Sequence, residues 1–174
     1  MVFNDDGNAM GDLLWRGKYL EVRRDGTWEY AARVGGMGAA VILAVTDARE
    51  IVLVEQLRRA LGRPTIELPA GLIGDDGDFD AAAAAARELD EETGFSASSW
   101  ERVGDFATSP GMSSEMFTLF RASGLTRTGS GGGVAGEDIT VHVVPLDGIG
   151  GWLAAQRGRG CVIDCRLIAA LGLI

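Results

Sequence analysis

Short apolar runs separated by turn signals dominate the hydrophobic pattern of the chain. Two strand-like runs within residues 18–33 flank Asp25-Gly26, a dipeptide typical of a tight hairpin turn. Residues 39–45 and 51–57 are apolar and β-branched, with a polar segment between them, which predicts two buried strands of a core sheet joined by a turn. Further strands are predicted at residues 65–68, 101–107, 116–122 and 139–145. The pattern thus predicts a core sheet preceded by a small N-terminal sheet.

Three segments have the composition of helices. Residues 80–93 hold six consecutive alanines and then charged helix formers, with Asp78 or Asp80 as the N-cap and Gly94 as the C-terminal stop. Residues 147–156 and 164–171 are predicted to be helices capped by their leading aspartates. Residues 71–77 and the glycine-rich residues 126–136 are predicted to be loops, the second one mobile. The mixture indicates an α/β (α+β) fold with antiparallel pairing.

Composition limits the possible functions. With 174 residues, 47% of them hydrophobic, the chain suits one compact domain. It lacks an apolar run of membrane-spanning length and the features of a signal peptide, so we expect a cytoplasmic protein with no membrane partner. A net charge of -9 without a basic cluster argues against nucleic acid, and a phosphate substrate would need a divalent cation. Cys161 and Cys165 are too few for a disulfide framework and are expected to be core thiols.

The predicted helix at residues 80–93 carries three acidic residues on one face. Glu88 and Glu92 are four residues apart, and Glu91 lies beside them. Like charges at this spacing destabilise a helix unless water or a cation shields them. The cluster is therefore either a solvated face compensated by Arg87 or a site for Mg²⁺ or Mn²⁺, which prefer oxygen ligands.

Residues 87–95, Arg-Glu-Leu-Asp-Glu-Glu-Thr-Gly-Phe, resemble the core of the Nudix box, and Gly71 resembles the glycine that opens the box. Membership of the Nudix superfamily implies a loop-helix-loop box on an α/β/α sandwich. It also implies metal-dependent hydrolysis of a nucleoside diphosphate linked to another group. By this resemblance Glu88 and Glu92 ligate Mg²⁺ directly, Glu91 binds a further cation or its waters, and the Ala70 carbonyl completes the site.

The box departs from the family pattern at one place. Phe79 stands where the family has a glutamate that pairs with the box arginine, Arg87, and the segment from Gly71 to Arg87 is two residues longer than the pattern. Asp78 or Asp80 could replace that glutamate with a shorter side chain. The departure concerns the geometry of the loop more than the metal ligands.

Features outside the box resemble the ADP-ribose pyrophosphatases within the superfamily. Pro110 lies sixteen residues after Gly94, as in that subgroup, although Ser-Pro-Gly is also an ordinary turn. The segments at residues 56–58, 67–71 and 136–144 support the same subgroup. The implied substrate is ADP-ribose or a related ADP-sugar. A GDP-mannose or broad-specificity nucleotide-sugar pyrophosphatase and a non-catalytic ADP-ribose-binding module are the alternatives. The three box glutamates disfavour the binding module.

Candidate residues exist for substrate binding. Trp28 resembles the aromatic residue that stacks on adenine in these enzymes, and otherwise it is a core tryptophan. Arg33 and Arg58 resemble the arginines that contact phosphates, and otherwise they form surface ion pairs. Lys18 is the single lysine, so cationic phosphate contacts must come mainly from arginine.

A general base is expected near the glycine-rich loop. Glu137 follows this loop, whose closure would carry it to the water, and we assign it as the base. Glu115 is a second candidate for contacting the water or a metal ion. His142 alternates within a predicted strand and is expected to pack or to face solvent.

The chain is divided into an N-terminal β-sheet segment, residues 1–36, and a Nudix domain, residues 37–174. The first segment resembles the part that related enzymes use to form homodimers with shared active sites. We therefore expect a homodimer, in which Trp28 could serve the neighbouring subunit. An edge strand at residues 13–23 would also need a partner.

Overall fold

The computed structural model describes residues 11–74, 79–134 and 136–174, which form three sheets and three α-helices. The first sheet is antiparallel and contains β1 (Asp12–Arg16), β2 (Leu20–Asp25) and β3 (Trp28–Arg33) in that order. The predicted hairpin is confirmed, with Asp25 opposite Trp28 and the turn at Gly26-Thr27. The single edge strand expected at residues 13–23 is wrong. The chain reverses there, and the Gly17 N–H donates to the Leu20 carbonyl at 2.8 Å.

Two four-stranded sheets form the main body. One sheet has the order β10-β5-β6-β11 and the other the order β7-β4-β9-β8, and each includes one parallel pair. The strands are β4 (Ala39–Ala44), β5 (Glu50–Arg58), β6 (Arg63–Glu67), β7 (Ala70–Leu72), β8 (Phe95–Ala107), β9 (Met116–Arg127), β10 (Ile139–Pro145) and β11 (Val162–Ile163).

Three expectations about these strands need correction. The turn between β4 and β5 is confirmed, but the two strands lie in different sheets rather than in one. The short strand β7 falls within the predicted loop because its backbone pairs with β4. Strands β8 and β9 are longer than predicted, since they pair with each other almost end to end.

The helices are α1 (Ala81–Thr93), α2 (Ile149–Gly158) and α3 (Cys165–Leu171). The side chain of Asp80 accepts hydrogen bonds from the first turn of α1, and Gly94 ends this helix in the left-handed conformation, as predicted. Asp164 caps α3 as expected. The predicted cap of α2 is wrong: the N-cap is Gly148, without a side-chain hydrogen bond, because the helix begins after it.

Alternating residues of β4 face two different hydrophobic clusters. Ile42 packs in a cluster with Leu89 of α1, whereas Leu43 packs in a cluster with Leu153 of α2 and Leu167 of α3. Helices therefore cover both sides of the sheet layer, which confirms the α/β/α sandwich with mixed sheets.

The two cysteines have different environments. Cys161 is buried in the core cluster on the side of α2 and α3, as expected, whereas Cys165 is exposed. In the described part of the chain, none of the helices is long and apolar enough to span a membrane.

Candidate active site

One cleft of about 640 Å³ collects most of the residues singled out from the sequence. Its volume lies in the range of small-molecule sites. Residues from β3, β4, β5, β6, β7, β11, α1, α3 and the loops line it. The charged lining residues are Arg33, Arg58, Glu67, Glu88, Glu92, Glu115, Glu137, Asp164 and Arg166.

Helix α1 presents two carboxylates to the cleft. Glu92 is only 4% exposed, and its Oε2 accepts a hydrogen bond of 2.9 Å from the Ala70 N–H. Gly71 lies directly against Glu88, so that a Cβ at position 71 would overlap the Glu88 carboxylate. The β7 backbone and α1 therefore form one tightly packed corner, which explains the glycine that opens the box.

The carboxylate of Glu92 has an unusual pKa. Burial is the largest cause of a rise to about 8, and the negative charges of Glu88 and Glu137 add to it. The hydrogen bond from Ala70 and the positive charge of Arg58 act in the opposite direction but are outweighed. Burial and the neighbouring carboxylates thus disfavour the charged form of Glu92.

Arg87 balances part of the charge on α1. Its Nη1 lies 2.9 Å from Glu88 Oε1 and 3.3 Å from Glu91 Oε2, as expected for local compensation. Glu91 and Arg87 are not among the residues that line the cleft. Asp80 acts as the N-cap of α1, and Asp78, the other candidate partner of Arg87, lies outside the described residues.

Arg58 is held by a residue that the sequence did not mark as part of the site. Its Nε and Nη2 each donate to the buried Glu67 carboxylate at 2.6 Å, which is a bidentate pair. Arg166 of α3 donates to the same carboxylate at 3.2 Å and also pairs with Asp164. The bidentate pair orients the Arg58 guanidinium before any ligand binds, and among the described residues no acceptor is found for its Nη1.

The other predicted arginine forms an ion pair with the second candidate base. Arg33 Nη2 lies 2.6 Å from Glu115 Oε1, and both side chains line the cleft. The segment before Glu115 is joined to the N-terminal sheet by backbone hydrogen bonds, in which the Ala31 N–H donates to Met112 and the Ser114 N–H donates to Ala31. The N-terminal sheet therefore supports one wall of the cleft.

Glu137 already lines the cleft, so no loop closure is needed to bring it there. The Val134 N–H donates to Glu137 Oε2 at 3.0 Å, and Glu137 lies near enough to Glu92 to raise its pKa. Strand β9 runs to Arg127, into the predicted loop, whereas residues 128–134 have no helix or strand, as predicted, and are attached to the end of α1.

Two predicted residues lie away from the cleft lining. Trp28 is 60% exposed at the hairpin turn, so the interpretation as a core tryptophan is wrong. His142 packs edge-on against Trp152, and its Nε2 lies 2.9 Å from Glu55 Oε2, which agrees with a packing role.

The oxygen ligands in the cleft suit a hard cation that is bound by protein carboxylates and by the substrate together. Six carboxylates and three arginines are found among the described residues that line the cleft. In residues 11–74, 79–134 and 136–174, no three acidic, histidine or cysteine side chains are grouped closely enough to hold a metal ion by themselves. Mg²⁺ commonly binds through one or two carboxylates, waters and substrate phosphates, so Glu88 and Glu92 fit that mode.

Residues 36–158 match the NUDIX domain family model, and the chain belongs to the Nudix family. It is 42% identical over 135 residues to an ADP-ribose pyrophosphatase of Mycobacterium tuberculosis, a match that covers 74% of this chain and 65% of that protein. It is 38% identical over 109 residues to a methanol dehydrogenase activator of Bacillus methanolicus, covering 63% of this chain and 57% of that protein. A GDP-mannose pyrophosphatase of Cronobacter sakazakii is 37% identical over 119 residues, covering 64% of this chain and 61% of that protein.

The chain spans between about half and two thirds of the length of the curated relatives it matches. A crystal structure described as an ADP compounds hydrolase is 21% identical, with a TM-score of 0.65 over 82% of this chain and 80% of that one. This likeness supports the fold. The resemblance to Nudix proteins of the ADP-ribose pyrophosphatase type is thus confirmed.

Proposed function

We propose that the protein hydrolyses the diphosphate bond of ADP-ribose or a related ADP-sugar, with Mg²⁺ as its cation. From ADP-ribose the products are AMP and ribose 5-phosphate. The observation that carries the proposal is the convergence of Glu88, Glu92 and Glu137 with Arg33 and Arg58 on one cleft. The name of the Mycobacterium tuberculosis relative, ADP-ribose pyrophosphatase, agrees with it.

Glu88, Glu92 and the Ala70 carbonyl would hold the cation, and Glu91 would bind a further cation or its waters. Bound there, Mg²⁺ supplies positive charge against the diphosphate and increases the acidity of water, and Mn²⁺ can substitute for it. Arg87 keeps Glu88 and Glu91 in place through its two ion pairs. The raised pKa of Glu92 is consistent with a site that is completed by a cation.

The remaining residues bind the substrate and move the proton. Arg58, held by Glu67, donates to phosphate oxygens, and Arg33 contacts the second phosphate. Glu137 takes the proton of the water whose oxygen attacks phosphorus, and the departing phosphate keeps the electron pair of the broken P–O bond. Glu115 is the alternative base, but its carboxylate already pairs with Arg33.

A GDP-mannose or broad-specificity nucleotide-sugar pyrophosphatase is the second candidate. The identity to GDP-mannose pyrophosphatases favours it, and Trp28 does not line the cleft of its own chain. The cleft thus has no residue assigned to recognition of the base, and either an adenine or a guanine nucleotide suits it. A non-catalytic ADP-ribose-binding module is disfavoured by the three glutamates of α1.

A substrate panel with Mg²⁺ tests the assignment. ADP-ribose, GDP-mannose, NADH and diadenosine polyphosphates are compared by kcat/KM, and we expect ADP-ribose to give the highest value. Turnover of GDP-mannose alone would replace the ADP-ribose assignment by the second candidate. Removal of Mg²⁺ with a chelator should abolish turnover, and its return should restore activity.

The Glu92→Gln variant tests the cation site. We expect kcat to fall by about 10² or more with an unchanged fold, because the neutral amide is a weaker ligand. Glu101→Gln, on the exposed surface of β8, is the matched control and should keep wild-type kcat. Near wild-type kcat in Glu92→Gln would refute the metal role.

We also propose that residues 1–36 form the dimer contact and help to bind the base, with the Nudix domain at residues 37–174. The three apolar side chains Leu13, Leu14 and Trp15 of β1 are exposed, which supports a partner on this sheet. A homodimer would allow Trp28 to reach the cleft of the neighbouring subunit. The cytoplasmic location stays a prediction.

A further inference from the structure

The segment at residues 128–134, here called the glycine strap, lies against the C-terminal end of α1. The Thr128 and Gly129 N–H groups donate to the Gly94 carbonyl at 2.8 and 3.1 Å. The Gly132 N–H donates to the Glu92 carbonyl at 2.9 Å, and the Gly133 N–H donates to the Glu91 carbonyl at 3.0 Å. The last carbonyls of a helix have no partner within the helix, so the strap supplies their donors.

Two glycines of the strap are required by close approach as well as by backbone angle. Gly131 has φ +66°, and a Cβ there would lie 2.6 Å from the Glu92 carbonyl oxygen. Gly133 has φ +81°, and a Cβ there would overlap the carboxylate of Glu137 and lie 2.9 Å from its Cβ. A side chain at either position would push the strap away from α1 or displace Glu137.

Val134, the last residue of the strap, connects it to the proposed base. The Val134 N–H donates to Glu137 Oε2, and the Glu137 N–H donates back to the Val134 carbonyl, both at 3.0 Å. Three consecutive backbone N–H groups thus bind the carbonyls of Glu92 and Glu91 and the carboxylate of Glu137. One short piece of backbone contacts both the helix that carries the acidic cluster and the residue assigned as base.

We infer that the glycine strap is a positioning element that fixes the Glu137 carboxylate relative to α1 before substrate binds. The inference rests on the proposed function, in which Glu137 is the general base. Because the strap joins Glu137 to α1 through backbone hydrogen bonds, the Glu137 carboxylate keeps its distance from Glu88 and Glu92 without a loop closure. Misplacing a reacting group by about 1 Å can lower the rate by about 10².

Gly133→Ala is the main test, and Gly151→Ala, in α2 and outside the strap, is its matched control. Gly151 has no left-handed backbone angle and has open space around its Cβ position, so kcat and KM of this variant should stay within about twofold of wild type. In Gly133→Ala we expect kcat to fall by about 10- to 100-fold with KM changed less than about twofold. In a Glu137→Gln background, Gly133→Ala should lower kcat no further, because the positioned group is already removed.

These outcomes separate the strap from the proposed function. Wild-type kcat in Gly133→Ala together with a low kcat in Glu137→Gln overturns the strap and leaves the base in place. A further loss in the double variant also overturns the strap, because its effect would then not pass through Glu137. Wild-type kcat in Glu137→Gln removes the base assignment and the strap inference together.

Amide hydrogen exchange in the wild-type protein decides the question if Gly133→Ala does not fold. The amides of Gly132, Gly133 and Val134 should exchange slowly without substrate, because each is hydrogen-bonded. In Glu137→Ala the Val134 amide alone should exchange faster. Rapid exchange of all three in the wild type would overturn the inference.

Discussion

At the scale of single residues, Gly71 shows how the box positions a carboxylate. Its backbone angle is ordinary, so the backbone would accept other residues, but the space next to it is filled by Glu88. The atoms of Glu88 that a new Cβ would meet belong to the end of a flexible side chain. An added methyl group would therefore displace this carboxylate rather than the backbone.

Gly71→Ala should reduce activity without unfolding the protein. We expect kcat to fall by at least about tenfold, because Glu88 must leave its place, whereas the melting temperature should change little. Gly38→Ala is the control, since a Cβ there makes only ordinary van der Waals contacts. Steady-state kinetics and thermal unfolding measure the two effects, and equal kcat in both variants would contradict the argument.

The sequence was informative where functional residues are close along the chain. Glu88, Glu91 and Glu92 follow from helical spacing, and α1 was delimited correctly because Asp80 and Gly94 have strong capping preferences. Glu67 and Arg166 were missed because they lie 99 residues apart and meet only in the folded chain. Glu67 lies in a segment that indicated the subgroup, but nothing in the local sequence shows that it pairs with Arg166.

At the scale of elements, the N-terminal sheet contains a buried charge cluster. Glu21 of β2 is 3% exposed, and its carboxylate accepts hydrogen bonds from Arg23 at 2.5 Å and from Arg16 at 2.8 Å. Burial raises the pKa of Glu21, but these two arginines lower it by more, so that its net pKa lies below the ordinary value. The ion pair between Arg16 of β1 and the ionised Glu21 of β2 therefore links these two strands.

Glu21→Gln should destabilise the protein in a pH-dependent way. Because folding lowers the pKa of Glu21, the ionised group stabilises the fold above the ordinary glutamate pKa, and this contribution is lost as pH falls through the folded-state pKa. We expect a loss of about 1–3 kcal/mol in the free energy of unfolding near pH 7, shrinking towards pH 3. Denaturant unfolding at several pH values measures it.

Glu29→Gln is the control in the same sheet, because the Arg24–Glu29 pair is exposed. We expect its effect to stay within about 0.5 kcal/mol at all pH values. A pH-independent difference between wild type and Glu21→Gln would show that packing rather than ionisation stabilises this part of the sheet.

The elements themselves were largely predictable, but their partners were not. Strands β4 and β5 were recognised from their apolar runs, yet residues such as Val41 and Val52 carry no information about which strand they face. Because both strands are buried on two sides, the hydrophobic pattern could not show that they belong to different sheets. The ends of α2 were misjudged because Gly148, rather than Asp147, precedes its first turn.

At the scale of the whole molecule, several large apolar side chains of the N-terminal sheet are exposed. Leu13, Leu14 and Trp15 of β1 are 47%, 42% and 58% exposed, and Trp28 is exposed as well. Single exposed apolar residues are normal, but three in succession on an edge strand favour a partner there. The exposed residues of β1 support the homodimer proposed above.

A mixing experiment tests whether subunits share their sites. Trp28→Ala should raise KM by about 10- to 100-fold if the indole stacks on the base, and Glu92→Gln should have little activity. If Trp28 serves the neighbouring cleft, mixed dimers of these two variants contain one complete site and regain a low KM. Absence of rescue in mixed dimers would place Trp28 outside the partner's site.

The oligomeric state itself is measured by sedimentation equilibrium. We expect the wild-type protein to be a dimer and Trp15→Glu to be a monomer, because a buried charge on β1 would oppose association. Leu57→Glu, at an exposed position of β5, is the control and should leave the dimer intact. A monomeric wild type would remove the proposal of shared sites.

Six acids stand against three arginines among the described residues that line the cleft, and this imbalance has a consequence for product release. Hydrolysis of a diphosphate ester, which carries about two negative charges, gives two monophosphates that each carry about -1.5 to -2 near neutral pH. In the proposed reaction, once the cation has left, electrostatic repulsion from the acidic walls is stronger for the products than for the substrate. The same carboxylates that require a cation for binding would thus favour departure of the cleaved nucleotide and limit inhibition by accumulated AMP.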